Sequence, residues 1–468
     1  MKKFIFISSL LLVFAACLPL QAQWAVHYGG TGDDWANSVQ QTSDGGYIVA
    51  GGTESYGDGN SDVWVLKLSF TGDIEWQRTF GGTDNEEVYE VQETSDGGFI
   101  VVGYTNSSGA GRSDSLILKL TAEGDIEWQY TFGRSGDDWA NSVQQTSDGG
   151  YVVGGSSDAF GNGELVYWVL KLTPDGNVDW QYAYSTGVNC YLRSIQETSD
   201  EGYIVAGHMS PSVVGGYDLL ILKLDSIGQI IWQRYYGGVQ DDWANSIQET
   251  EDGGYFVAGY TGSFGAGGWD IWALKLDSVG DIEWQRTYGR GQDDWGTSAQ
   301  QTSDGGYVVA GYTDSFGAGF SDFWVVKLSS LGLIEWQTPY GGTGDEAAFS
   351  VSQTDDTGFV VAGTTGSYTA GGLDLLVLKL YSDGTIDPSC ALPGSSNAVI
   401  NTTAATLSTT VIAPFTAGVN PQIVIVSSQD SDSEAYWVCE DRPEISGAVK
   451  TEGGAGIEGV TVTFSGGE

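Results

Sequence analysis

The sequence predicts an all-β fold, a seven-bladed β-propeller of four-stranded antiparallel blades, and three observations carry that prediction. Trp24, Trp76, Trp128, Trp180, Trp232, Trp284 and Trp336 follow one another at a constant step of 52 residues, as do Lys67, Lys119, Lys171, Lys223, Lys275, Lys327 and Lys379. A step kept without net insertion or deletion means seven copies of one supersecondary unit in equivalent environments. Each copy holds four short runs of β-branched and aromatic residues separated by Gly/Asp/Ser clusters, with no helical period. Finally, the last copy runs from Leu380 into YSDGTIDPSC and lacks its Trp-Gln strand, whereas WAVHY at Trp24–Tyr28 precedes all other repeat material.

The unit from Asp293 to Tyr340 shows the elements in order. Strand a is expected near Ser298–Thr302, strand b at Tyr307–Thr313, strand c at Asp322–Leu328 and strand d at Leu333–Tyr340. The a–b link SDGGY reads as a tight hairpin, because Asp-Gly-Gly tolerates the positive φ such turns need. The b–c link SFGAGFSD is longer and Gly-rich, and the c–d link centres on Gly332. Four antiparallel strands per repeat are the signature of a propeller blade. A solenoid would share the period but would need distinct caps. The missing last strand points instead to ring closure, with the N-terminal strand serving as strand d of blade 7 beside residues 347–380, which removes exposed sheet edges. Each strand-c lysine is expected to pair with the residue before the strand-d tryptophan: Lys67 with Glu75, Lys119 with Glu127, Lys171 with Asp179, Lys275 with Glu283 and Lys327 with Glu335. Ile231 breaks the pattern opposite Lys223.

The flanks read differently. Lys2 and Lys3, an apolar run from Phe4 to Ala16 and then LPLQAQ form a secretory signal peptide over residues 1–22, too short an apolar run to span a membrane. Cleavage after Ala22 is expected, with lipidation of Cys17 as the alternative that would make the chain a lipoprotein. The propeller occupies 23–388, a Ser/Thr-rich β or linker region 389–442, and the truncated start of a further domain 443–468. Cys390 and Cys439 flank the region after the propeller and are expected to form a disulfide in an oxidising compartment, which leaves Cys190 as a small buried residue. With 61 acids against 18 Lys and Arg, the net charge is −43 and is spread through every repeat. Such a surface repels nucleic acid and anionic lipid.

In a four-stranded blade the d–a and b–c links share one face. The d–a links carry Asp33-Asp34, Asp137-Asp138, Asp241-Asp242, Asp293-Asp294 and Asp345-Glu346, with Asn85-Glu86 in blade 2 and Asn189-Cys190 in blade 4. Trp35, Trp139, Trp243 and Trp295 follow, with Tyr191 in blade 4, and the b–c links add Tyr56, Phe160, Phe264, Phe316 and Tyr368. The acids have three readings: turn caps whose oxygens accept backbone N–H groups, Ca²⁺ ligands, or partners of the aromatics in binding a sugar or cationic peptide. The tryptophans are also expected as wedges between blades. Candidate ligand-binding residues are thus Asp34, Trp35, Asp138, Trp139, Asp242, Trp243, Asp294 and Trp295, joined by Arg193 and His208 of blade 4, where Cys190, Tyr191, Met209 and Pro211 also depart from the repeat. No Ser-His-Asp order, HExxH, P-loop or CxxC is present.

The units GGTGDDWANSVQQTSDGGYIVAGG and DFWVVKLSSLGLIEWQ resemble a family of secreted bacterial β-propeller-repeat proteins over residues 24–387, and the QAQ signal end is similar to those of Bacteroidetes-type secreted proteins. The terminal ISGAVKTEGGAGIEGVTVTFSGGE resembles the opening of a carboxypeptidase-regulatory-like β-sandwich, with strands matched at Ile445–Lys450 and Val460–Phe464. A likeness to PQQ-like propellers rests on Leu276–Trp284, but the shorter turn and the count of seven argue against a quinone enzyme and no cofactor is implied. The expectation is a secreted or outer-surface binding or scaffolding module for a protein or glycan, a monomeric propeller within a larger modular chain. A polysaccharide hydrolase or lyase on the same fold, and a purely structural spacer, are the alternatives.

Overall fold

The computed structural model describes residues 23–386, except 162, 211–214 and 370, together with the backbone of seven short strands between 399 and 465. Seven four-stranded antiparallel blades stand in a ring, each in the order a-b-c-d. In blade 6 the strands are Asp294–Gln301, Tyr307–Thr313, Asp322–Leu328 and Ile334–Tyr340. Strands b, c and d fall where composition puts them. Strand a starts earlier, because Asp294 and Trp295 pair with Thr313 and Tyr312 rather than extending the loop. The acid-tryptophan segments therefore belong to the sheet.

In blade 6 strand c is buried along its length and strand b at every position but Tyr312. Neighbouring blades cover both of their faces, so continuous apolar runs replace the alternation of a one-sided sheet. Seven hydrophobic clusters result, one between each pair of adjacent blades; Trp24, Val26 and Val377 of blade 7, for example, pack with Val49, Trp64 and Leu66 of blade 1. The ring closes as expected. Trp24–Gly29 lies antiparallel to Asp374–Leu380, with Trp24 opposite Lys379 and Tyr28 opposite Leu375.

Strand d also ties blade to blade. The Trp24 indole donates to the Phe70 carbonyl of the next blade's c–d turn (3.2 Å), Trp76 to Ala122 (3.0 Å) and Trp336 to Ser382 (3.0 Å). The Tyr28 hydroxyl donates to Gly72 O at 2.6 Å and Tyr236 repeats this at Gly280.

The buried lysines form the expected ion pairs at Glu75 (3.1 Å), Glu127 (3.2 Å), Glu283 (3.3 Å) and Glu335 (3.1 Å). The Lys171–Asp179 pair does not form, since aspartate is one methylene shorter, which leaves Lys171 with Asp148 at 2.8 Å. The constant partner is in fact the aspartate of the a–b turn, which every lysine meets: Asp44, Asp96, Asp148, Asp200, Asp252, Asp304 and Asp356, at 2.8–3.0 Å. That aspartate also accepts the turn's own groups, as Asp304 does from Thr302 Oγ1 (2.6 Å) and Gly306 N (2.9 Å).

Beyond the ring, Val399–Thr402, Thr406–Ser408, Pro414–Thr416, Ser427–Gln429 and Glu434–Glu440 run antiparallel to strand d of blades 5, 4, 3, 1 and 7. Glu444–Ser446 pairs with Thr463–Ser465. The signal segment, Cys17, and the Cys390 and Cys439 side chains lie outside the described residues.

Candidate functional site

Asp34, Asp138, Asp242 and Asp294 each open a strand a and are fully buried. Their oxygens serve the loops around them. Asp34 accepts Gly30 N (2.8 Å) and Ser55 Oγ (2.6 Å), Asp138 accepts Arg134 N (2.9 Å), Asp242 accepts Gly238 N (2.7 Å) and Ser263 Oγ (2.8 Å), and Asp294 accepts Arg290 N and Ser315 Oγ, both at 2.9 Å. Each also faces an acid that opens strand c of the preceding blade, across one glycine. Gly81 stands between Asp62 and Glu86, Gly133 between Asp114 and Asp138, Gly237 between Asp218 and Asp242, Gly289 between Asp270 and Asp294, Gly341 between Asp322 and Glu346, and Gly29 between Asp374 and Asp34. A Cβ on Gly81 would lie 1.5 Å from Asp62 Oδ1. At the junction of blades 3 and 4 the corresponding residues are Val166, Ser185 and Cys190, so both acids and the glycine change together.

Burial is the main cause that pushes these carboxyls up, to about 7 for Asp62 and Asp270 and about 6 for Asp138 and Asp322, and the facing acid adds to it. For Asp62, Asp138, Asp270 and Asp322 the negative charge across the glycine thus disfavours ionisation of a carboxyl that burial already holds up. At the closing junction His27 Nδ1 lies 2.8 Å from Asp374 Oδ2. Among the described residues, no group of three or more His, Cys, Asp or Glu is arranged to hold a metal ion.

The tryptophans pack across the sheet. Trp35, Trp139, Trp243 and Trp295 face Gly52, Ser156, Tyr260 and Tyr312 on strand b. Trp295 stacks on Tyr312 at 4.5 Å and Trp243 on Tyr260 at 5.6 Å between ring centroids. In blade 2 Glu87 takes the tryptophan's place and accepts Trp35 Nε1 (3.2 Å) and Asn37 Nδ2 (3.3 Å) from blade 1. The b–c aromatics turn inward: Tyr56, Phe160, Phe264 and Phe316 lie 5.4–5.7 Å from Trp64, Trp168, Trp272 and Trp324.

The concave feature of the ring is its central channel, whose lining the sequence did not reveal. Every strand a carries a β-bulge two residues after its tryptophan position, between Ala36 and Ser38 in blade 1 and between Leu192 and Ser194 in blade 4. A bulge re-aims the extra residue. The bulged residues are Asn37, Tyr89, Asn141, Arg193, Asn245, Thr297 and Phe349, and all seven line one cavity of about 360 Å³. Tyr260, Trp295 and Tyr312 complete its aromatic wall, and the serines after each bulge, replaced by Glu90 in blade 2, form its floor. Glu90 accepts Val143 N at 2.9 Å, and burial pushes its carboxyl up to about 7. Below the floor, glutamine side chains couple each strand a to the next, as where Gln92 Oε1 accepts Gln145 N (2.7 Å) and Gln144 Oε1 accepts Glu197 N (2.6 Å). Bulge register needs pairing partners, so the sequence alone carried no signal for these positions beyond their variation.

Of the two blade-4 candidates, Arg193 is in this lining and His208 is behind it. His208 is fully buried, stacked on Tyr191 (5.0 Å) and packed on Trp243 (3.8 Å). Burial first and Arg193 second hold its imidazole well below the usual range, so it is neutral. Cys190 is a free buried thiol 3.0 Å from Thr186 Oγ1, and burial pushes it up to about 11.

Comparison with known proteins bears on the fold. The chain matches the family described as "Domain of unknown function (DUF5122) beta-propeller" over residues 146–179 and 360–389. It is 24% identical over 409 residues to "Regulatory protein FlaEY" of Caulobacter vibrioides, an alignment that covers 78% of this chain and 40% of that protein, so the chain spans two-fifths of this relative's length. Among solved structures, it is similar to Sqt1 from Chaetomium thermophilum (10% identity, 77% of this chain and 99% of that one, TM-score 0.45). The Pan2 WD40 domain of Neurospora crassa is another likeness (11% identity, 75% and 89%, TM-score 0.41). No helix of the described residues is long and apolar enough to cross a membrane.

Proposed function

We propose that the chain is a secreted, non-catalytic propeller that binds a glycan at the d–a mouth of its central channel and so serves as a recognition or scaffolding module at the cell surface. The observation that carries this reading is where the seven copies differ. The strand-c lysine and its turn aspartate are the same in every blade, whereas the bulged position holds five residue types in seven copies: Asn, Tyr, Arg, Thr and Phe. A side chain needed only for packing would be kept alike, because every blade offers it equivalent neighbours. The cavity combines aromatic faces with amides and hydroxyls, the composition of small polar-ligand sites, and its size falls in the range of roughly 300–1,000 Å³ usual for them. A protein partner is expected to need a broader surface, roughly 800 Å² on each side.

The test is a glycan and polysaccharide binding array with the full chain, run with and without calcium. Retention of a defined set of glycans supports the reading, and calcium dependence would assign the buried acids a ligand role. A chain that retains no glycan and captures a surface protein instead overturns it in favour of protein scaffolding. Release of new reducing ends from any polysaccharide overturns the non-catalytic part.

A further inference from the structure

The cavity has one cationic group in its lining. Arg193 occupies the bulged position of blade 4, where the other blades have neutral side chains. The seven strand-c lysines all have an aspartate within 3.0 Å. Arg193, among the described residues, has no carboxylate at ion-pair distance, and its Nε is buried without a hydrogen-bond partner. Among the described residues Arg286 and Arg290 also have no carboxylate at ion-pair distance, but neither lies in the cavity lining. The one carboxyl in the lining, Glu90, is turned to blade 3 through the Val143 N–H. Around Arg193 the wall is flat and apolar at Tyr89, Tyr260 and Trp295, and bears amide groups at Asn141 and Asn245.

An unpaired, partly desolvated guanidinium is a site for a planar two-oxygen anion, which it meets through parallel N–H donors. Aromatic faces take the C–H face of a ring, and amides take hydroxyls as donors and as acceptors. Residues of all seven blades ring the site, so it is entered along the channel axis and admits a small molecule or a chain end rather than the middle of a polymer. We infer that the channel mouth binds a single uronic acid unit, free or at the end of a glycan, with its carboxylate on Arg193, its ring against the aromatic wall and its hydroxyls on the asparagine amides. This rests on the glycan-binding reading above and names the ligand's chemistry. The acidic surface favours a singly charged ligand over a polyuronate, whose further charges it repels.

Calorimetric titration of the full chain with glucuronate, galacturonate, glucose and galactose tests this, using the wild type, Arg193→Gln, Arg193→Lys and Arg290→Gln. The last removes the same charge from a d–a link outside the lining. Uronates are expected to bind the wild type and Arg290→Gln alike, to lose at least tenfold in affinity with Arg193→Gln and to recover in part with Arg193→Lys. The neutral sugars are expected at least tenfold weaker than uronates on the wild type. A long polyuronate is expected to bind more weakly than the monomer at low salt and to gain as salt is added. Neutral sugars that bind the wild type as well as uronates, with Arg193→Gln unchanged, would overturn the charged ligand and leave the glycan reading intact. Failure of all four sugars together with capture of a carboxylate-ended peptide would overturn both. If Arg193→Gln does not fold, as judged by circular dichroism, the neutral-against-acidic comparison and Arg193→Lys still decide.

Discussion

Replacing Asp270 by asparagine should change how the stability of the ring depends on pH. Asp270 is fully buried at the head of strand c in blade 5, accepts Ala266 N at 2.9 Å and faces Asp294 across Gly289. Burial, and then the charges of Asp294 and Asp293, push its carboxyl up to about 7. Against an ordinary aspartate near ~3.9, and at ~1.4 kcal/mol per pH unit, ionising it in the folded chain costs up to roughly 4 kcal/mol. Between those values the folded state holds the proton and the unfolded state does not. This contribution to stability is therefore complete below about pH 4 and is lost as pH rises through about 7. Asparagine keeps the acceptor for Ala266 N and has nothing to ionise. Guanidinium unfolding followed by tryptophan fluorescence should find Asp270→Asn no more stable than the wild type near pH 4, and more stable by up to roughly 4 kcal/mol near pH 8. Parallel pH curves for the two proteins would refute the paired-carboxyl argument.

Three other outcomes follow from the same geometry. Asp304→Ala should destabilise blade 6 by about 1–2 kcal/mol and Glu335→Ala by less than about 1, because Asp304 accepts the turn's hydrogen bonds as well as pairing with Lys327, whereas Glu335 contributes the Lys327 ion pair; thermal unfolding of both variants compares them. The turn aspartates Asp44, Asp96, Asp148 and Asp304 are held down to about 2, chiefly by hydrogen bonds from the turn threonine or from the lysine, so their contribution is present above the usual aspartate value and is lost as pH falls through about 2. Together with the raised pairs this places the stability maximum near pH 4–5, read from unfolding midpoints across pH. Cys190 should react with a thiol reagent only as fast as the fold opens, so its labelling rate should rise steeply with denaturant.

The fold was legible because the constant step and the strand-d tryptophans report packing that every blade shares. Four of the five cross-strand ion pairs followed from the same logic, since strands c and d are neighbours in sequence. The turn aspartate was missed because SDGG reads as a turn signal before it reads as a lysine partner. The acids that look like a binding ring on the d–a links turned out to be half of a buried pair whose other half lies 24 residues earlier, as Asp62 does from Glu86. The coupled change to Val166, Ser185 and Cys190 was visible in the sequence, but it had meaning only once the equivalent residues of the other blades were seen to face each other across the glycine. The channel lining was least legible, because a bulge is set by pairing and leaves no composition of its own.

Closure by Trp24–Gly29 also imposes an order on assembly. Blades 1 to 6 each form from about fifty consecutive residues, so during synthesis each can pair soon after its last strand emerges. Blade 7 cannot. Its outer strand is made first and its partner, Asp374–Leu380, last, so the earliest residues of the ring remain without their sheet while all the others are produced. Joining them spans the whole contour of the ring, the kind of long-range contact that slows folding. The completed channel, and with it any ligand site that needs all seven walls, exists only after that final step.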